Sequence, residues 1–279
     1  MITKNNLIKY FKTLGLDVHT TTKARGHLGF FLNGRIDISK NIPEHKIIPT
    51  LLHEFSHYIH SKIEKNVSKT GGSLKVLFNS CESFEDELIR ITNFVDESSK
   101  CKKLLEHKEM VKSEIKNLDE LIKKEYPKFQ RSKKFKEFDR AIRGTKIKYL
   151  LKYDRVKIMP WFIFGKEKII SINTIEQDFP RLKQEFVYYL KLKSLQRKQK
   201  RISNRISKMN KYYNKPTELF ARFIEALYLN NNFVAENAPK AYKRFYELLD
   251  EGYFYELKNV FNSFIPNEVN NNFSIKNFN

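Results

Sequence analysis

The chain has 279 residues and a net charge of +21, with 41% hydrophobic and 30% charged side chains, 23 Phe and 14 Tyr. That much apolar surface can build a sizeable core and excludes a wholly disordered chain, while no window reaches the roughly 18 consecutive apolar residues of a membrane span. With only Cys81 and Cys101, a disulfide framework is excluded and a reducing, cytoplasmic setting is expected.

In chain order, Lys4 and Lys9 interrupt the apolar opening, so it does not read as a secretory signal. Asn6–Leu14 has helical spacing and ends at Gly15. Val18–Thr22 is strand-like, and Gly29–Ser39 reads as two strands joined at Asn33-Gly34. After the break at Asn41-Ile42-Pro43, His45–Ser61 forms a helix with Ile48, Leu51, Leu52, Phe55 and Ile59 as its buried stripe. Gly71-Gly72 marks a loop. From Ser83 to Lys124 the apolar spacing predicts one long helix or a helical pair bent around Ser98–Lys103. Strands are expected at Met159–Phe164 and Lys168–Ile172, with Trp161 in the core or on a cleft wall. A helix opens at Asp178-Phe179-Pro180 and runs into the basic stretch Lys191–Lys208, and two more helices follow at Pro216–Leu229 and Pro239–Leu249. No internal repeat is visible.

The charge is unevenly spread. Residues 101–210 hold 31 Lys and Arg against 13 Asp and Glu, whereas the other 169 residues hold 22 against 19. Such an excess suits an acidic protein, nucleic acid or anionic lipid, and it also suits a solvated, compositionally Lys-rich surface.

The chemistry concentrates in His53-Glu54-Phe55-Ser56-His57, an HExxH pattern on the second helix. Residues i and i+4 lie one turn apart on one face, so His53 and His57 can offer ring nitrogens to one ion, with Glu54 beside it as a general base. Two imidazoles suit Zn2+, whose bound water ionises near neutral pH. A catalytic zinc needs a third protein ligand. His60 is one candidate, but seven helical residues span about 10.5 Å, too far for a shared ion. It reads instead as a cleft or partly buried histidine. Glu218 is the better candidate, in the first turn of the helix opened by Pro216. It can equally be an ordinary first-turn acid. Glu225, two turns on along the same face, is placed to orient a ligand histidine.

These residues resemble the gluzincin-type zinc metallopeptidases. His53–His57 and Glu218-Leu219-Phe220-Ala221, with Asn237-Ala238-Pro239-Lys240, are similar to segments of the anthrax lethal factor-like catalytic domain. Tyr213–Arg222 is similar to a motif in the zincin domains of phage and mobile-element polyvalent proteins; His60 has a counterpart in the ImmA/IrrE-like peptidases. The resemblance covers residues 15–62 and 210–250, and Ser56 stands where these families usually have Gly. The gap of 160 residues between His57 and Glu218 is longer than usual for them. It implies one zinc held by His53, His57 and Glu218, Glu54 as the base, and Tyr212 or Tyr213 steadying the oxyanion. It also implies that the strand before the motif helix, Arg35, Ile36, Asp37 and Ile38, pairs with an extended peptide substrate through a free edge.

The expected architecture is α+β. A zincin-like core with a small antiparallel or mixed sheet is built from residues 1–62 and 211–265, interrupted by a mainly helical basic insertion at 63–210 and followed by a tail at 266–279. The expected function is hydrolysis of peptide bonds in a protein substrate. The alternative is a basic nucleic-acid-binding or mobile-element accessory protein on a zincin scaffold without peptidase activity. The sequence fits cytoplasmic residence or delivery into another cell by a route that leaves no signal.

Overall fold

The computed structural model describes residues 3–21, 28–63, 84–129, 132–144, 147–158 and 168–264. The expectations for Gly71-Gly72, Met159–Phe164, Trp161 and the tail at 266–279 lie outside them. The chain forms two compact units, residues 1–100 with 210–279, and residues 101–209. Both are mainly helical and each carries a small sheet, an α+β architecture. No helix among the described residues is long and apolar enough to cross a membrane.

The first unit opens with helix α1 (Lys4–Thr13), where the Thr3 hydroxyl accepts from the Asn6 N–H as an N-cap and Leu7 and Phe11 turn inward. Strands β1 (Asp17–Thr21), β2 (Gly29–Leu32) and β3 (Arg35–Ser39) form a mixed sheet in the order β1-β3-β2. β1 runs parallel to β3, and β2 runs antiparallel to it. Asn33 and Gly34 both have positive φ, 48° and 80°, the backbone of a tight hairpin turn whose twist matches its strands. Helix α2 (Glu44–Ile63) follows, then helix α3 (Glu85–Val95) and a short 3-10 turn at Glu97–Lys100.

Helix α2 buries Leu51, Leu52, Phe55 and Ile59 as the spacing predicts, while Ile48 is half-buried. Phe55 stacks on Phe11 with ring centroids 4.3 Å apart, and Ile36 and Ile38 close the core from the sheet. Each side chain so buried contributes about 1.5–3 kcal/mol.

The unit is completed by four helices near the C-terminal end, after a long stretch of intervening chain. Helix α9 (Pro216–Leu229) packs along both α2 and α3 and buries Leu219, Phe220, Phe223, Ile224 and Leu227 in the same core. Helices α10 (Asn231–Asn237), α11 (Pro239–Asp250) and α12 (Tyr255–Phe264) finish it.

The second unit contains α4 (Lys102–Glu125), α5 (Lys133–Gly144), α6 (Ile147–Tyr153), the short α7 (Ile175–Asp178) and the long α8 (Gln184–Tyr213), whose last four residues belong to the first unit. Strands β4 (Arg155–Ile158) and β5 (Lys168–Ser171) pair antiparallel. Val187, Tyr189, Leu190 and Leu192 of α8 pack with Leu150, Leu151, Ile170 and Ile172.

Two expectations change. Between Ser83 and Lys124 the chain forms two helices rather than one, interrupted near Ser98–Lys103, where Cys101 has a positive φ of 51°, and the two belong to different units. The unit boundary therefore falls at residue 101, not 63. The reason is packing: Leu88 and Ile91 of α3 join the core of the first unit, and Glu87 Oε2 accepts from the Ala241 N–H there.

Candidate metal centre

The centre forms where α9 crosses α2. His53 and His57 occupy successive turns of α2, with ring centroids 5.0 Å apart. Pro216 starts α9, which places Glu218 in the first turn, where the helix N-terminus favours a carboxylate. His53 Nε2 lies 3.5 Å from Glu218 Oε2, and His57 Nε2 lies 3.7 Å from Glu218 Oε1. One ligand atom from each of the three residues falls within 4.8 Å of the others.

This donor set fits a metal ion on its own geometry. Two donors bound tetrahedrally at about 2.0–2.1 Å lie roughly 3.3 Å apart, close to the two His–Glu separations. Glu218 Oε2 is also buried with no hydrogen-bond partner, an acceptor that a cation would satisfy. Two imidazoles and a carboxylate are donors suited to a divalent metal ion.

The side chains are electrostatically coupled. Burial alone would lower the His53 imidazole, yet the Glu218 and Glu225 carboxylates raise it to about 9. Burial, reinforced by His53, drives His57 down to about 3, so it stays neutral, the form in which a histidine binds a metal. Burial would raise Glu218, but the two histidines hold it at about 2. Burial raises the Glu54 carboxyl to about 7, and His53 opposes that rise.

Behind the histidines runs a chain of charged contacts. His53 Nδ1 lies 3.1 Å from Glu225 Oε2, which also accepts from Arg222 Nη1 at 3.1 Å. Arg222 Nη2 reaches Asp96 Oδ2 at 3.4 Å, and the Tyr213 hydroxyl donates to the same oxygen at 2.8 Å. Asp96 caps the end of α3, and its Oδ1 accepts from the Ser98 N–H at 2.9 Å. Glu225 thus sits where an orienting partner of His53 is expected.

The two tyrosines separate. Tyr212 is hydrogen-bonded to Glu218 and its hydroxyl is held above its ordinary pKa, by burial first and then by the Glu218 charge. Tyr213 points to Asp96 instead, so its hydroxyl is committed to the outer contacts rather than to the ligands. His60 is 1% exposed and lies against Phe220, and it is not one of the three ligand candidates.

The free edge expected on Arg35–Ser39 is not there. β3 is the middle strand and is paired on both sides. Ile36 and Ile38 are buried in the core, and Arg35 pairs with Asp37 on the opposite face at 2.8 Å. Among the described residues the open edge near the centre belongs to β2. Ser39 N–H donates to Leu28 O, so by antiparallel alternation Gly29 and Phe31 direct their backbone groups away from β3. The Phe31 backbone is hydrogen-bonded to Glu54.

Sequence reasoning missed Gly29 and Asp96. A Cβ at Gly29 would stand 2.6 Å from Thr50 Cγ2 and 2.8 Å from Glu54 Oε1, so the missing side chain lets β2 approach the carboxylate. The hairpin pattern marks Gly29 as a strand residue but not as the neighbour of Glu54. The local pattern of Asp96 is that of a helix-end acid bonded to Ser98, and nothing in it names Tyr213 and Arg222, which are more than a hundred residues away.

No family model matches this chain, and searches of curated proteins and of solved structures return no match. The chain is an α+β protein with a His-His-Glu group that could hold a metal ion.

Proposed function

We propose that the first unit is a zinc-dependent peptidase. The observation that carries this reading is the convergence of His53, His57 and Glu218 within 4.8 Å, with Glu54 next to one ligand on the same helix. Zinc held there supplies a Lewis acid that polarises a carbonyl and lowers the pKa of water.

The chain's own residues supply the rest. Glu54 accepts a proton from the attacking water and passes it to the leaving amine. Tyr212, beside Glu218, donates to the carbonyl oxygen as its charge develops. The open edge of β2, through the Gly29 backbone and the Phe31 carbonyl, pairs with the backbone of an extended substrate and holds the scissile bond over the ligands. Glu225 fixes the His53 ring through Nδ1 and is itself held by Arg222.

The test combines metal content with cleavage. The wild-type chain should carry one zinc and generate new N-termini when incubated with a whole proteome. Glu54→Gln should keep the zinc and lose at least a hundredfold in turnover, and His57→Ala should lose both. Cleavage unaffected by Glu54→Gln would remove the peptidase reading, leaving the zincin-like core as a scaffold.

A further inference from the structure

The second unit holds a surface that the metal centre does not use. Residues 101–209 contain 31 Lys and Arg against 13 Asp and Glu, and from Lys191 to the end of α8 at Tyr213 there is no acidic residue. The helix sorts its side chains by face. Ile202 and Ile206 turn into the unit and are buried. Arg197, Lys200, Arg205 and Lys208 are exposed and Lys198 is half-exposed. Among the described residues none of these five has an ion-pair partner, and together they span about 17 Å of helix at 1.5 Å per residue. Exposed Asn204 and Ser207 lie between them in the chain and exposed Gln196 just before them, side chains that hydrogen-bond phosphate and sugar oxygens.

Exposed aromatic rings lie on α6, whose C-terminal end is tied to α8. Arg201 donates to the Lys152 carbonyl and, at 2.9 Å, to Asp154 Oδ2, fastening the end of α6 against α8. Tyr149 and Tyr153, one turn apart on α6, are 45% and 54% exposed. Lys148 and Lys152 stand over these rings at 5.3 and 4.9 Å. Exposed tyrosines beside cations without an ion-pair partner form the combination that stacks bases while tracking a phosphate backbone, the flexible lysines over the rings giving way to a base.

We infer that the α8 face from Arg197 to Lys208, with Tyr149 and Tyr153, binds single-stranded nucleic acid. A lipid surface fits less well, because an interfacial helix offers an apolar face to the bilayer and the apolar face of α8 is buried in its own unit. An acidic protein would call for apolar anchors at the centre of the interface, and the exposed large hydrophobic side chains here are the two tyrosines of α6, with none on α8 itself.

The experiment titrates the full chain with a fluorescent 20-nucleotide oligo-dT at several salt concentrations, beside a duplex of equal length, phosphatidylserine vesicles and polyglutamate. Oligo-dT should bind tightest, with log K falling linearly as log salt rises. Changing Arg197, Lys198, Lys200, Arg205 and Lys208 together to Gln should weaken binding at least tenfold and reduce the slope by about 0.7 per lost contact. Tyr149→Ala with Tyr153→Ala should weaken it about tenfold with the slope unchanged. Five Lys→Gln changes on α4, at Lys103, Lys108, Lys112, Lys116 and Lys124, should leave affinity within about threefold. Unchanged melting confirms that each variant is folded. The inference is overturned if the α8 variant still binds, if the α4 variant loses as much, or if duplex, vesicles or polyglutamate are held as tightly as oligo-dT.

Discussion

At the scale of single residues, the tightest constraint near the centre is the absence of a side chain. A methyl group at Gly29 would sit within 2.9 Å of Glu54 Cγ and closer still to Thr50 Cγ2, so either the strand or the carboxylate must move. On the proposed peptidase function, Gly29→Ala is expected to leave metal stoichiometry intact while lowering turnover ten- to a hundredfold, because small misplacements of a reacting group are expensive in rate. Metal analysis beside steady-state kinetics checks this, and unchanged turnover would show that Glu54 is positioned some other way. Tyr212 and Tyr213 make a related point. Consecutive helical residues are turned about 100° from each other, so one faces Glu218 and the other faces Asp96. The resemblance to the zinc metallopeptidases leaves the two tyrosines interchangeable, and only their packing separates them.

At the scale of elements, three helices meet through one acidic cap. Asp96 at the end of α3 receives Tyr213 from the last turn of α8 and Arg222 from α9. Burial would raise its carboxyl, but the hydrogen bonds from Tyr213 and Ser98 and the charge of Arg222 hold it below the usual carboxylate range. A carboxyl depressed in the folded state stabilises above its unfolded pKa of about 4, and that contribution is lost as pH falls through the folded value. Asp96→Asn should accordingly cost about 1–2 kcal/mol near pH 7, with the gap from wild type closing towards pH 3. Thermal melts at the two pH values measure it, and a gap that widens on acidification would contradict the assignment. The sheet shows the same dependence on neighbours. Arg35–Ser39 has the alternation of a strand with one buried face, and it does bury Ile36 and Ile38. Which of its edges stays open depends on β1, which arrives in parallel from the far side of the hairpin.

At the scale of the whole molecule, the metal group lies entirely within one of two units. Stripping the metal with a chelator should lower the melting temperature of the first unit and leave the second where it was. At a hundredfold excess of free zinc over its dissociation constant, the difference amounts to about 2.7 kcal/mol. Calorimetry with and without chelator resolves it, and a shift in the transition of residues 101–209 would place the metal elsewhere. The charge imbalance follows the same division. The basic excess read from the sequence at 101–210 coincides with the second unit, although the packing boundary at its start lies well beyond residue 63.

The amino-acid sequence by itself determined the short-range features. Helical periodicity brings His53 and His57 to one face, Asn33-Gly34 closes the hairpin, Pro216 starts α9 with Glu218 in its first turn, and the middle of the chain is basic. Each depends on residues a few positions apart, where propensity and turn geometry act directly. Only the tertiary structure decided that α9 lies across α2 so that Glu218 meets both imidazoles, that α3 belongs to the first unit, that β3 is enclosed, and that Asp96 anchors Arg222 and Tyr213. Those outcomes follow from burying the apolar faces of remote segments in one core, and the pattern within any one segment does not name the segment that will cover it.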